Sequence, residues 1–212
     1  MVTANAWERV VRIEIGARLG TGFTIDVNGD QFLITAKHVA DGEGDLKVFV
    51  RGNLVSPAMD RLDVPVSAAD VAVFRLRGPI TPKLPLEPTM EGMVYGQDAY
   101  FLGFPFGLTF DVGIIESFPL VKRATISATN RHMKGRTVLL LDGWNNPGFS
   151  GGPLIFRRTA GEPFRVAGVV SAYRTQTTPI LVGGQELAGW ELLANSGIIV
   201  AEEITRVLEA IG

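Results

Sequence analysis

The chain has no cysteine, and that absence closes several routes at once. A disulfide framework, a thiolate nucleophile and a Cys-based zinc site are all excluded. Histidine is nearly as scarce, with His38 and His132 the only two. Two imidazoles cannot make a three-His metal centre, so no metal and no cofactor is expected; a mechanism needing a base that titrates near neutrality has two candidates. Charge of one sign is also lacking, since 20 Lys+Arg face 22 Asp+Glu for a net charge of −2. That balance leaves no basic field to drive nucleic-acid binding. No apolar run approaches the ~18 residues of a membrane span. Met1 to Val10 carries Glu8 and Arg9 and no apolar stretch, so no signal peptide is visible. A cytoplasmic location is expected, although a trimmed periplasmic protein would read the same way.

What is present is an ordinary apolar content, 46% of 212 residues, together with 25 Gly and 12 Pro. That length suits one all-β unit with a sizeable core. Val11, Ile13 and Ile15 alternate with Arg12 and Glu14, and Leu19, Thr21, Phe23 and Ile25 repeat the period of two. Asn28-Gly29 then marks a hairpin turn, because both residues tolerate positive φ. The return strand is Gln31–Thr35, with His38 just beyond it. Further strands are expected at 46–50, 62–66 and 71–76, then at 99–103, 121–128, 137–141, 154–156, 166–172 and 187–192. Between the two groups, Pro79, Pro82, Pro85 and Pro88 rule out a regular element and mark a connection. Only the end of the chain has helical period. Ile204, Val207, Leu208 and Ile211 share one face of a helix over about 201–211, with Glu202 and Glu203 in its first turn. Short strands, turn residues and one helix read as a barrel or sandwich.

The segment Asn146-Pro147-Gly148-Phe149-Ser150-Gly151-Gly152-Pro153 carries the chemistry. Its glycines free the backbone to turn sharply around Ser150 and to gather N–H groups on a substrate oxygen. It also fits G-x-S-x-G, the nucleophile elbow of α/β-hydrolases, but that fold needs serine, then acid, then histidine. Both histidines here precede Ser150. The order Asp, His, Ser is formally available through Asp26 or Asp30, but it belongs to a parallel α/β architecture whose alternating helices are missing. The order His, Asp, Ser remains. His38 follows a buried strand in Thr35-Ala36-Lys37-His38-Val39, and Asp70 opens Asp70-Val71-Ala72-Val73. Taken singly, each is an ordinary turn or strand-entry residue. Together with Ser150, at separations of 32 and 80 residues, they form a constellation.

These three motifs resemble those of the chymotrypsin-like (trypsin-like) serine proteases. The lack of cysteine and the turn Gly103-Phe104-Pro105-Phe106-Gly107 are closest in character to the bacterial heat-shock (high-temperature-requirement) branch, here without a PDZ domain in 212 residues. The resemblance implies two six-stranded antiparallel β-barrels, at about 8–77 and 97–195, a connection at about 78–96, a C-terminal helix and a cleft between the barrels. It implies an endopeptidase in which Ser150 attacks, His38 moves the proton and Asp70 holds the imidazole. Gly148 and Ser150 N–H would form the oxyanion hole. Ser171 matches the family serine beside the catalytic acid, on the strand that pairs with substrate. Trp144 matches the pocket-floor position and Tyr173 the pocket wall. The expected partner is a protein or peptide substrate with a small or medium apolar side chain before the cleaved bond. Phe149 stands where zymogen-activated members carry an aspartate, so activation by a new N-terminus is not expected. His132 reads as a solvated loop residue. The alternative is a catalytically silent module of the same fold that binds a peptide or partner. Oligomeric state is open.

Overall fold

The computed structural model describes residues 2–50, 52–112, 115–133 and 136–212, with the side chains of 115, 116 and 131–133 outside that description. A one-turn helix α1 (Ala4–Trp7) leads into seven strands: β1 (Val10–Ile15), β2 (Arg18–Val27), β3 (Asp30–Thr35), β4 (Leu46–Val50), β5 (Asn53–Val55), β6 (Met59–Leu62) and β7 (Ala72–Leu76). A second single turn, α2 (Lys37–Ala40), follows β3. The strands pair antiparallel in the order β5-β4-β1-β2-β3-β7-β6. Asn28 and Gly29, at φ 51° and 92°, make the expected hairpin turn between Val27 and Asp30.

The second half contains β8 (Glu87–Pro88), β9 (Asp98–Gly103), β10 (Phe110–Val112), β11 (Ile115–Phe118), β12 (Leu120–Met133), β13 (Arg136–Asp142), β14 (Pro153–Phe156), β15 (Arg165–Val182) and β16 (Gln185–Glu203). The order β14-β9-β12-β13-β16-β15 closes on itself through a β14–β15 ladder, giving a six-stranded ring, and β8 adds parallel to β15. Strands β10 and β11 form a separate small hairpin. The chain thus has two barrel-like β halves and a short C-terminal helix, the chymotrypsin-like arrangement, with β5 widening the first half to seven strands.

Alternation along the strands sorts the core into three clusters. Val11, Ile13, Ile15 and Leu33 fill the first half, while Phe101, Ile126, Leu139, Phe149 and Phe156 fill the second. Phe23, Ile25, Phe32 and Ile34 point the other way and pack with Leu102, Phe104, Ile155 and Val169 across the junction. Strand β3 is therefore buried on both faces, and each large side chain so buried stabilises the fold by ~1.5–3 kcal/mol. The Pro-rich connection is strapped to the first half by a fully buried Arg9, which donates to the Pro82 carbonyl at 2.5 Å and pairs with Asp26 at 2.5 Å. Gln31 holds the same stretch by accepting from Ile80 N–H at 2.9 Å.

Three expectations change. Pro88, expected in an irregular connection, pairs with Val166 in the two-residue β8. The strand expected at 62–66 ends at Leu62, because Pro65 lacks a ladder donor and the following residues turn toward Asp70. The helix expected from about 201 begins at Thr205, as α3 (Thr205–Ile211). Glu202 and Glu203 are not in its first turn; they end β16, where Glu202 pairs with Val138 and Val169. Among the described residues no helix is long and apolar enough to cross a membrane.

Candidate active site

The site residues come from four separate segments of the chain. His38 sits in α2, directly after β3, and its neighbour Thr35 is fixed by donating from Oγ1 to the Thr21 carbonyl at 2.7 Å. Asp70 ends the loop that leads into β7. Ser150 lies in the loop between β13 and β14, and Ser171 on β15.

The first half supplies an acid and an imidazole already joined. His38 Nδ1 is 2.7 Å from Asp70 Oδ2, and the His38 backbone N–H donates to Asp70 Oδ1 at 2.9 Å. Ser171 adds a third bond from the second half, donating from Oγ to Asp70 Oδ2 at 2.6 Å. Burial is the largest single influence on the Asp70 carboxyl and pushes it up; the bonds from His38 and Ser171 outweigh it and hold the carboxyl below its ordinary value. With Nδ1–H turned to the carboxylate, a neutral imidazole offers Nε2 as the acceptor. The ring is 51% exposed and Asp70 only 17%. That leaves the proton-accepting side of the ring open to a reactant.

Ser150 is brought to the same place through Ser171. Its Oγ donates to the Ser171 carbonyl at 3.3 Å, and no hydrogen bond joins it to the imidazole among the described residues. One residue thus holds the acid with its hydroxyl and the serine with its carbonyl.

The turn before Ser150 is built for backbone donors. Pro147 at the second position, Gly148 at the third with φ 103°, and a Phe149 N–H to Asn146 carbonyl bond of 3.4 Å fit a type II turn. An added Cβ on Gly148 would stand 2.5 Å from the Phe104 carbonyl oxygen, so glycine is required there. Thr21 pins the turn by donating from Oγ1 to the Gly148 carbonyl at 2.6 Å and from its N–H to the Ser150 carbonyl at 2.9 Å. Phe149 is buried, with its ring 4.9 Å from Phe101. The N–H groups of Gly148 and Ser150 have no acceptor among the described residues.

Arg136, Thr21 and Glu202 escaped the motif reading. Arg136, at the start of β13, donates from Nη1 to the Ala68 carbonyl in the loop before Asp70, and the same atom lies 3.0 Å from Glu202 Oε1. Glu202 is fully buried, and burial raises its carboxyl above the ordinary value against the pull of Arg136. The signal for Thr21 was its place between Gly20 and Gly22; nothing local marks the other two.

The residues expected to shape a specificity pocket are placed less tightly. Tyr173 is half-buried on β15, but Trp144 is 56% exposed, not an enclosed floor. Asp142 is exposed at the end of β13. His132 falls on β12 and not in a loop, and its side chain lies outside the described residues. Among the described residues no cluster of His, Asp and Glu could hold a metal ion.

Two β barrels with a histidine and an acid from one half, and a serine in a glycine turn from the other, define the class of the serine endopeptidases. Residues 20–163 match the trypsin-like peptidase domain, and the chain belongs to that family. Its fold is similar to that of Rv3671c from M. tuberculosis H37Rv, solved as an alanine mutant in an inactive form, at 20% identity and a TM-score of 0.63, covering 96% of this chain and 85% of that one. A second structure of the Rv3671c protease, also in an inactive form, gives 22% identity, a TM-score of 0.65 and coverage of 98% and 89%. The HtrA-type protease AlgW, an alanine variant with a tripeptide, gives 22% and 0.65, covering 98% of this chain and 60% of that one. No curated protein matches by sequence.

Proposed function

We propose that this endopeptidase hydrolyses peptide bonds through a His38–Asp70–Ser150 triad and an acyl-enzyme. Ser150 Oγ attacks the carbonyl carbon, and its proton passes to His38 Nε2. The tetrahedral oxyanion is held by the N–H groups of Gly148 and Ser150. Collapse expels the amine, which takes the proton from His38; water then repeats the sequence on the ester. Asp70 keeps Nδ1 protonated and offsets the imidazolium charge. The observation that carries this reading is the hydrogen-bonded run from His38 through Asp70 to Ser171, with the Ser150 hydroxyl resting on the same Ser171. For attack, the Ser150 hydroxyl turns from that carbonyl to Nε2. Catalytic hydrogen bonds commonly tighten only with substrate bound.

The primary pocket beside Trp144 and Tyr173 takes small or medium apolar side chains. With Trp144 56% exposed, that preference rests on contact with the faces of the two aromatic rings. Phe149 is anchored in the apolar core, so the serine loop does not await an ion pair with a cut N-terminus.

The test is covalent labelling of the intact chain with a fluorophosphonate, followed by peptide mapping. Modification at Ser150, lost in Ser150→Ala, is the expected result. An unlabelled but folded protein that still binds peptides would establish the silent binding module instead.

A further inference from the structure

The stretch from Thr175 to Asn195 holds two charges, Glu186 and Glu191, and no Lys or Arg. It forms the outer parts of β15 and β16, paired from Thr175 with Asn195 to Val182 with Gln185. Gly183 and Gly184, at φ 60° and 83°, close it with the two-residue turn that suits a hairpin. This is an ordered arm, yet its apolar side chains face water. Leu181, Val182, Leu187, Trp190, Leu192 and Leu193 are between 42% and 67% exposed. An isolated two-stranded ribbon is marginal in water, and a long exposed apolar edge is a template for another strand.

Leu181 and Val182 are on β15, and Leu187, Trp190, Leu192 and Leu193 are on β16, whose outer side is paired with β13 only from Ile198 on; of the two open edges, it is that of β15 that leads from the nucleophile. β16 covers one side of β15 along its length, and β14 covers the other side only as far as Val169. The serine loop takes the next place: Gly151 N–H donates to the Val170 carbonyl at 2.7 Å, and Val170 N–H to the Gly152 carbonyl at 2.9 Å. Ser150 Oγ then reaches the Ser171 carbonyl. From Ala172 to Val182 no strand pairs with this side among the described residues. The free edge opens at the nucleophile and runs outward for about 30 Å, at ~3.3 Å per residue. A chain whose carbonyl sits at Ser150 is led straight along it.

We propose that the arm is an extended substrate platform, on which this peptidase takes polypeptides carrying a long, extended, apolar segment on the acyl side of the cleaved bond. The inference rests on the catalytic reading above and supplies its substrate class. Recognition is by strand addition next to Ser171, where main-chain groups give affinity. Farther out, register irregularities and Pro179, which has no N–H, interrupt the ladder, and contact with the apolar side chains takes over. A second copy of the chain pairing edge to edge is the competing occupant.

The experiment compares kcat/KM for three peptides that share the residues nearest the cleaved bond. One is short, one carries six further apolar residues on the acyl side, and one carries six Ser, Gly and Glu residues there. The wild-type chain should cleave the apolar peptide at least tenfold more efficiently than the short one, with no gain for the polar peptide. That ratio should fall to near one in Trp190→Ser/Leu192→Ser/Leu193→Ser, and by a smaller factor in Trp190→Ser alone, which guards against misfolding of the triple variant. Binding of the same peptides to Ser150→Ala, followed by fluorescence anisotropy, reads the arm without turnover. Arm-dependent binding without hydrolysis by wild type would contradict the catalytic reading and still support the arm. Hydrolysis with no apolar gain, or a gain that survives in both arm variants, would overturn the arm. So would a concentration-dependent dimer, abolished by the triple variant, with no gain for the longer peptide.

Discussion

Asp70, the acid of the proposed reaction, is also held by the fold. Burial alone would push its carboxyl up, and the bonds from His38 and Ser171 reverse that. A carboxyl held low in the folded chain binds fewer protons there than in the unfolded chain, so it contributes stability that rises with pH. The stability difference between wild type and Asp70→Asn should therefore be full above the ordinary value of 3.8 and vanish as pH falls below it. Glu202 works in the opposite sense, since burial raises its carboxyl and its contribution is lost as pH rises. Asp70→Asn removes one charge that helps to raise Glu202, so the variant also loses a little of that opposite contribution. Urea denaturation across the acid range measures this, and a difference that grows on acidification would contradict the assigned bonds.

At the scale of elements, side chains reaching across loops matter as much as the ladders. Arg9 shows this best, because it ties a segment with four prolines, Pro79 to Pro88, to β2. Arg9→Ala would leave Asp26 and the Pro82 carbonyl without their partner. The expected loss is about 3 kcal/mol, near the low end for breaking a buried pair, because Asp26 keeps contact with water. Chemical denaturation of the variant reads it directly, and a loss within experimental error would mean that the connection holds itself. The strands around Val11–Ile15 and Gln31–Thr35 were legible because period-two burial follows from the chain's own geometry. The helix start was not: the periodicity of Ile204, Val207 and Leu208 says nothing about Glu202, which the β13 and β15 ladders hold in a strand. The arm was half-read for a related reason. Thr175 to Pro179 has no apolar alternation, and the partner strand at 187–192 was the only part with a pattern. His38, Asp70 and Ser150 were legible as candidates because three short motifs carry them; Arg136 was not, since its bond to the Ala68 carbonyl crosses between the halves and its Glu202 contact comes from the β13–β16 pairing.

For the whole molecule, the two halves meet through a shared apolar layer and a few polar ties, and the reactive groups are divided between them. His38 and Asp70 belong to one half, Ser150 and Ser171 to the other. Thr21 fastens the first half to the serine turn, and Arg136 fastens the second half to the Asp70 loop. The proposed reaction assigns the proton transfer to His38, which is bonded to Asp70, and not to His132 on β12. Members of a triad act as a unit, so removing the base should cost on the order of 10⁶ in rate. The most direct test is kcat/KM for a peptide substrate in His38→Ala and His132→Ala beside wild type. A loss on that order in His38→Ala, with His132→Ala close to wild type, is the result predicted. Activity kept in His38→Ala and lost in His132→Ala would contradict it.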